Sequence, residues 1–484
     1  MVDAETRAAF RLTLACVVAI TLVRCAVLVL SPLDLYPDEA QYWWWAQTPD
    51  LGYFSKPPMI AWLIWLSTSV FGNAEWAIRI FSPLLHAATS LLIFAIARRS
   101  VTARLSLLAA LAYLTLPGLS WSSGLISSDV PLLFFWAAAL YAFLRGCDDE
   151  NWCWPLLCGL SLGLGLESKY AMLYFPAGAV AAALVSANAR RLVFGPHGVA
   201  ILVVGLALLS PNILWNARHG FPTIAHTEAN ADWGRARYNV VSAVQFALGQ
   251  FGVFGPLLMA GYIAALWRLG RGASTESERL LMAFSLPPLV LILIQSFVAG
   301  ANANWAATAF IAATPLAVVE LARWWQGRVL GISFAINGAA MLALWLFVLR
   351  PDAADAVGVG NAFKREEGWR QLGVAVARMG GGAPYDFIVA DNRSLVAELL
   401  FYARARPSPI RVWTRDLRIR DHFEMTMRLA PGARHVLLAL EPEGAARVLA
   451  TFDSAKRLAR VSIPVGGGHS RTVDLYEARD YRGS

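Results

Sequence analysis

Two adjacent carboxylates stand in the segment LYPDEAQYWWW, which runs from Leu35 to Trp45. Asp38 and Glu39 follow a proline and precede a tyrosine and three tryptophans. A carboxylate beside apolar and aromatic surface can have a raised proton affinity and can act as a general base. An acidic pair in a solvated loop is the alternative interpretation. The pair directly follows a long apolar run, which favours the chemical interpretation, with Asp38 as the stronger candidate.

Two lysines stand in short segments further along the chain. Lys56 belongs to GYFSKPPMIAW, together with Tyr53, and precedes two prolines that cannot continue a helix. Lys169 belongs to LESKYAML and lies between two apolar runs, two residues after Glu167. Each lysine could bind a lipid-linked phosphate. The alternatives are a lysine that reaches lipid headgroups for Lys56, and an ion pair with Glu167 or a helix cap for Lys169.

A third carboxylate, Asp129, begins an apolar run in GLISSDVPLLFFW. Asp is a favourable N-cap residue, so we predict that it caps a helix in which Pro131 is the second residue. The N–H groups at such a helix start, with the positive end of the helix dipole, also suit an anionic ligand. The segment therefore predicts either a simple cap or part of an anion site.

Weaker candidates follow in the next segments. His219 and His226 are seven residues apart, but Pro222 lies between them and breaks the helix that would align them, so a two-histidine metal site has little support. Asn304, in AGANANWAATAF, is a further polar candidate. Arg24 lies deep in the first apolar run, and its role is open.

The composition indicates a membrane protein. Of 484 residues, 57% are hydrophobic and 15% are charged, whereas soluble domains carry about 25% charged residues. Apolar runs of about 20 residues, long enough to cross a bilayer, recur along the chain. The net charge of +8 comes from arginines in short segments at alternating ends of these runs. That spacing follows the positive-inside rule and does not indicate nucleic-acid binding. The five cysteines form no disulfide framework or zinc motif.

Eleven spans are predicted, starting from a cytoplasmic N-terminus. The first lacks a cleavage site and is predicted to be retained. The stretch 59–71 is too short to span, which favours an interfacial or re-entrant helix. We expect Tyr42–Trp45 to hold the first outer loop at headgroup depth. The predicted spans are residues 8–30, 76–97, 103–119, 129–145, 153–167, 170–188, 197–215, 241–267, 280–298, 305–322 and 329–349.

After residue 350 the chain becomes richer in charged residues. YDFIVAD, RHVLLALE and residues 410–413 are typical of buried strands, and SLVAELLFYARA has the spacing of a helix. VGGGH at 465–469 predicts a hairpin turn. We therefore predict an α-helical polytopic membrane domain, residues 1–350, followed by a small periplasmic α/β domain, residues 351–484.

In combination these segments resemble the GT-C type polytopic glycosyltransferases. The nearest groups are bacterial relatives of the protein O-mannosyltransferases and the lipid A aminoarabinose transferases. The matching segments, in the family's order over roughly residues 30–230, are YPDEAQYWWWA, GYFSKPPMIAWL, SSDVPLLFFW, GLGLESKYAML and LWNARHGFPTIAHT. An acidic pair followed by a KPP turn on a multi-span chain is the most specific feature.

The resemblance implies a transferase that takes a sugar from a polyprenyl-phosphate donor at the outer face of the bacterial inner membrane. It implies a catalytic carboxylate at Asp38 with Glu39 as its acidic neighbour, a phosphate-binding lysine at Lys56, a second acidic position at Asp129 and a basic one at Lys169. Tyr53, Glu167, His219 and Asn304 complete the predicted substrate-binding set.

The expected chemistry is an inverting transfer to an envelope acceptor: lipid A or its core, another glycan, a lipid or a protein. Lysines and helix N–H groups would balance the leaving phosphate, so no cofactor and no obligatory metal is predicted, although a divalent metal stays possible. The expected partners are the donor, the acceptor and the bilayer, with no nucleic acid, and the expected state is a monomer. A transporter or flippase is the competing function class.

Overall fold

The structure is a computed structural model that describes residues 4–235, 238–406, 408–416 and 418–483. In these residues it is mostly helical, with a sheet near the C-terminal end of the chain. The α-helices are α1 Ala4–Leu30, α2 Pro37–Ala46, α3 Met59–Phe71, α4 Glu75–Arg79, α5 Phe81–Arg98, α6 Ala103–Leu114, α7 Pro117–Ser122, α8 Asp129–Asp148, α9 Cys153–Ser168, α10 Tyr174–Val185, α11 Ala187–Phe194, α12 Pro196–Arg218, α13 Pro222–Ala231, α14 Val240–Phe254, α15 Pro256–Gly270, α16 Glu276–Val298, α17 Ala309–Arg323, α18 Arg328–Leu349, α19 Pro351–Ala356, α20 Trp369–Gly380, α21 Arg393–Tyr402, α22 His422–Thr426 and α23 Ala445–Leu449.

The strands are β1 Phe387–Ala390, β2 Ile410–Val412, β3 His435–Leu440, β4 Phe452–Val465 and β5 His469–Tyr481. The chain divides into two compact units. The first consists of the described residues up to Leu28, Lys56–Ile60 and Arg79–Trp345. The second consists of Val29–Ser55, Ala61–Ile78 and the described residues from Leu346 onward. The boundary predicted at residue 350 stays a prediction; the contacts group two segments of the first loop with the C-terminal chain.

The first unit contains most residues of the candidate membrane-spanning helices. In the described part of the chain, six helical stretches are long and apolar enough to cross a membrane, or seven if one bent pair is a single span. The six are Ala4–Leu30, Glu75–Arg98, Asp129–Asp148, Pro196–Arg218, Glu276–Val298 and Ala309–Leu349. The eleven predicted spans are therefore not confirmed as a count. Several of the predicted segments form shorter helices, such as α6, which ends before Pro117 begins α7.

The bent pair corrects one predicted span. Residues 241–267 were expected to form one helix, but the chain bends by 114° between α14 and α15. Gly255 joins them with a φ of +91°, and Pro256 begins α15, where its missing N–H costs nothing. A Cβ on Gly255 would lie 2.5 Å from Asn337 Oδ1. The apolar run hid this break because its hydrophobicity continues through the bend.

The helices of the first unit pack around a continuous apolar core that includes Trp136, Phe143, Phe175 and Phe284. The short helix α9 is continuous, although it contains Gly159, Gly163 and Gly165. A Cβ on Gly159 of α9 would lie 2.8 Å from the carbonyl oxygen of Ile201 on α12. The absent side chain therefore allows these two helix backbones to approach closely, as small residues do between membrane helices.

The second unit contains a five-stranded sheet in the order β2-β1-β3-β5-β4. β1 pairs in parallel with both β2 and β3. β5 pairs antiparallel with β3 and β4. The predicted strands, the helix α21 and the hairpin turn between β4 and β5 are all present. The burial of β1 and β3 explains their almost unbroken apolar sequences.

The aromatic run of α2 corrects a second expectation. Tyr42, Trp43 and Trp45 are buried, and only Trp44 is half-exposed. The Trp43 ring packs edge-on against Phe401 of α21, with centroids 4.8 Å apart. Three of the four rings therefore pack within the second unit and do not face headgroups, while the depth of this loop in the membrane stays a prediction.

Candidate active site

Asp38 and Glu39 occupy the first turn of α2, and the helix gives them different surroundings. The Glu39 side chain turns back, and its Oε2 accepts a hydrogen bond from the backbone N–H of Tyr36 at 2.9 Å. Glu39 is 1% exposed, and this bond satisfies an N–H at the start of the helix. The Asp38 side chain is 40% exposed. Asp38 is thus the carboxylate of the pair that a substrate can reach.

Arg393 holds the Asp38 carboxylate. Its Nη1 donates to Asp38 Oδ1 at 2.6 Å and to Gln41 Oε1 at 3.0 Å. Arg393 is the first residue of α21, directly after Asn392, whose side chain caps the helix by accepting from Leu395 N. This turn follows the carboxyl end of β1, which pairs in parallel with β2 and β3. Polar residues commonly form sites at this end of parallel strands. Arg393 was not among the residues predicted from the sequence, although the polar run after a buried strand was a usable signal.

A second set of hydrogen bonds in the same unit involves Asp34, which was likewise not predicted from the sequence. Its Oδ2 accepts from the backbone N–H of Trp369 at 2.8 Å and of Arg370 at 3.1 Å. The Arg370 side chain adds an Nε bond to Asp34 at 3.3 Å and an Nη2 bond to Glu75 at 2.6 Å. Burial raises the pKa of Asp34, and its hydrogen bonds oppose that shift. These bonds join the segment before α2 to the start of α20.

Tyr53, a predicted substrate-binding residue, is used in packing. Its ring stacks on Trp45 with centroids 4.5 Å apart. Its hydroxyl accepts from Asp50 N at 3.0 Å and donates to the Trp45 carbonyl at 3.2 Å. Burial raises the pKa of Tyr53 to about 12, and burial lowers the pKa of the neighbouring His422 to about 4. Both groups are therefore neutral near pH 7.

In the first unit, three predicted residues form one polar cluster. Lys169 Nζ donates to Asp129 Oδ1 at 2.7 Å, and Asn304 Nδ2 donates to Asp129 Oδ2 at 3.0 Å. Asp129 is the first residue of α8, which follows Ser128, so the predicted N-cap role for Asp129 is wrong. Its carboxylate binds the lysine and the amide instead of the helix N–H groups. The pairing of Lys169 is with Asp129, not with Glu167.

The remaining candidates lie on other elements of the chain. Glu167, in the last turn of α9, is buried, and its Oε2 has no hydrogen-bond partner among the described residues. His219 follows the end of α12; its Nδ1 lies 2.8 Å from the Trp215 carbonyl oxygen. His226 belongs to the next helix, α13, as Pro222 predicted. Lys56 is half-buried before the two prolines. Within the described ranges, no three His, Cys, Asp or Glu side chains come together as metal ligands.

Two comparisons with known sequences decide the family. Residues 55–215 match the family model described as dolichyl-phosphate-mannose-protein mannosyltransferase. The chain is 38% identical to the lipid A galacturonosyltransferase RgtD of Rhizobium johnstonii over 391 residues, which cover 80% of this chain and 82% of that protein. This chain is a GT-C membrane glycosyltransferase. The resemblance predicted from the motifs is confirmed, and the competing transporter class does not hold.

The fold of this GT-C enzyme matches a solved structure along nearly its whole length. ArnT from Cupriavidus metallidurans bound to undecaprenyl phosphate aligns with a TM-score of 0.67 and 18% identity, covering 96% of this chain and 97% of that one. At this identity the likeness concerns the fold. The undecaprenyl phosphate-alpha-4-amino-4-deoxy-L-arabinose arabinosyl transferase of Pseudomonas aeruginosa is 30% identical over 173 residues, 31% of each chain.

Proposed function

We propose that this GT-C enzyme transfers a galacturonosyl residue from a polyprenyl-phosphate donor to lipid A. The observation that carries the proposal is the 38% identity, over most of both chains, to a lipid A galacturonosyltransferase. The donor class is supported by the matching fold of a protein bound to undecaprenyl phosphate. The transferred galacturonosyl group is then a hexosyl group that carries a carboxylate.

The proposed base is Asp38. A sugar on polyprenyl phosphate carries its own leaving group, so the enzyme must deprotonate the acceptor hydroxyl and stabilise the departing phosphate. Asp38 is exposed enough to accept that proton, and the Arg393 bond fixes the direction of its carboxylate. General-base assistance contributes about 10²–10⁴ in rate. Attack opposite the phosphate inverts the anomeric centre.

The proposed phosphate-binding groups lie in the first unit. Lys56 is the first cation of this set, and Lys169 is the second, held by its bond to Asp129. Asn304, on the other oxygen of Asp129, completes the support of that carboxylate. Fixed donors of this kind stabilise charge as it develops on a leaving group. Glu167 and His219 stay predicted substrate-binding residues, and Tyr53 supports the loop through its stacking.

The proposed location is the bacterial inner membrane, with the N-terminus in the cytoplasm and the C-terminal unit in the periplasm. The arginines at alternating span ends support this orientation. We also propose that the enzyme acts as a monomer. The donor and the acceptor are both lipids of the membrane, so a bilayer is needed for their encounter.

The proposal is tested in cells by mass spectrometry of lipid A from a strain that lacks this gene. Lipid A from the deletion strain should lose one hexuronosyl residue, and the wild-type gene should restore it. The Asp38→Asn variant should reach the membrane in normal amount and fail to restore it, with activity at least about 10²-fold lower. Unchanged lipid A, with loss of a sugar from another envelope glycan, would contradict lipid A as the acceptor.

A further inference from the structure

The Arg393 guanidinium uses only one of its nitrogens. Both of its hydrogen bonds, to Asp38 and to Gln41, come from Nη1. Across the described ranges, Nε and Nη2 donate no hydrogen bond. Neither of these two atoms is among the buried polar atoms that lack a partner, and the side chain is 35% exposed. The Nε–Nη2 edge of Arg393 is therefore open to solvent.

Other arginines of the second unit use this edge for structure. Arg370 donates from Nε to Asp34 and from Nη2 to Glu75. Arg460 donates from Nε and Nη2 to the two oxygens of Asp474, at 2.8 Å each. In both arginines the Nε–Nη2 edge donates to protein carboxylates. Arg393 differs because its pair with Asp38 leaves that edge unoccupied by described residues.

The second carboxylate that interacts with Arg393 accepts hydrogen bonds from other residues. Besides Asp38, the Asp421 carboxylate also interacts electrostatically with Arg393. Asp421 Oδ1 accepts from the backbone N–H groups of Phe423 and Glu424 at 2.8 and 2.9 Å, which caps α22. Capping of α21 belongs to Asn392. The Nε–Nη2 edge of Arg393 therefore caps neither α21 nor α22.

The Nε–Nη2 edge of an arginine presents two parallel N–H groups that match the two oxygens of a carboxylate. A uronic acid differs from the corresponding neutral hexose by one carboxylate in place of a hydroxymethyl group. In the proposed reaction, the donor sugar must come within reach of the base that activates its acceptor. Arg393 is hydrogen-bonded to that base, so its Nε–Nη2 edge can contact the carboxylate of the donor sugar.

We propose that the Nε–Nη2 edge of Arg393 binds the carboxylate of a uronic-acid donor while Nη1 keeps its bond to Asp38. This inference rests on the proposed function and adds the residue that selects the donor sugar. One guanidinium then orients the base and recognises the substrate. A neutral sugar leaves the edge hydrated and forfeits a bidentate, charge-assisted pair.

The experiment uses the purified full-length enzyme, lipid A and two donors, polyprenyl-phosphate galacturonate and polyprenyl-phosphate galactose. In Arg393→Ala, kcat/KM for the uronate donor should fall about 10- to 100-fold more than for the galactose donor. Arg393→Lys keeps a cation but not the fork, so its selectivity should be intermediate. Arg460→Ala removes a matched arginine from the hairpin of β4 and β5 and should leave the donor preference unchanged.

The ratio of the two donors separates the alternatives. If Arg393→Ala and Arg393→Lys lower kcat/KM equally for both donors, the inference is overturned. Equal losses are expected if Arg393 only contacts the shared phosphate, only orients Asp38 or only supports folding. Failure of the proposed function appears differently, as a wild-type enzyme that prefers the neutral donor or transfers neither sugar to lipid A, and in that case the inference falls with it.

Discussion

At the scale of single residues, two neighbouring carboxylates illustrate how position decides role. Glu39 is buried and bonded to the start of its own helix, whereas Asp38 is exposed and bonded to an arginine 355 residues away. Both side chains are carboxylates, and either could act chemically as a base. Only the direction in which α2 presents each side chain separates a helix-capping residue from a proposed base.

Asp391, at the carboxyl end of β1, gives a pH prediction. Burial, together with the nearby Glu441 carboxylate, raises the pKa of Asp391 from 3.8 to about 6. The folded state therefore binds this proton more tightly than the unfolded state, so the contribution to stability is full below about pH 4 and is lost as the pH rises through about 6. Asp391→Asn should remove this dependence. Its free energy of unfolding should match that of wild type near pH 4 and exceed it by about 2 kcal/mol above pH 6.

The measurement is denaturant unfolding of the full chain in detergent at several pH values, followed by a probe of the C-terminal unit. Asp453→Asn is the matched control, because Asp453 is an exposed carboxylate on β4. The control should follow the wild-type curve. A stability difference between Asp391→Asn and wild type that is constant from pH 4 to pH 7 would show that the Asp391 carboxyl does not titrate in this range.

At the scale of elements, local patterns predicted more than apolar length did. The short stretch 59–71 was predicted as a helix too short to span, and α3 covers those residues. The alternation of buried strands with a helical segment correctly indicated the C-terminal sheet. The continuous hydrophobicity of residues 241–267 concealed the bend at Gly255, because apolar composition reports burial in lipid or protein and not the direction of the chain.

The bend between α14 and α15 should depend on Gly255. Gly255→Ala places a side chain at a positive φ and against Asn337, which should lower the stability by about 1–3 kcal/mol. Gly252→Ala, three residues earlier in α14, meets no atom within 4 Å and should be neutral or slightly stabilising. Thermal unfolding of both variants in detergent tests this. Equal stability of the two variants would show that the bend tolerates a side chain.

At the scale of the whole molecule, the sequence predicted the family and most polar positions but not their partners. Asp38, Lys169, Asp129 and Asn304 were recognised because ionisable and polar residues at the ends of apolar runs are unusual. The bonds of Asp38 to Arg393 and of Asp34 to Arg370 join residues more than 330 positions apart. No local pattern encodes such pairings, since they arise only when the first loop and the C-terminal chain fold together.

The most direct test of the central claim compares two neighbouring variants in one assay. Purified wild-type enzyme, Asp38→Asn and Glu39→Gln are each reconstituted in vesicles with lipid A and labelled polyprenyl-phosphate galacturonate. Wild type should transfer the label to lipid A. Asp38→Asn should lose about 10²–10⁴ in turnover, whereas Glu39→Gln keeps a capping oxygen and should retain most activity. Equal turnover of Asp38→Asn and wild type, or an inactive Glu39→Gln beside an active Asp38→Asn, would contradict the assignment of Asp38 as the base.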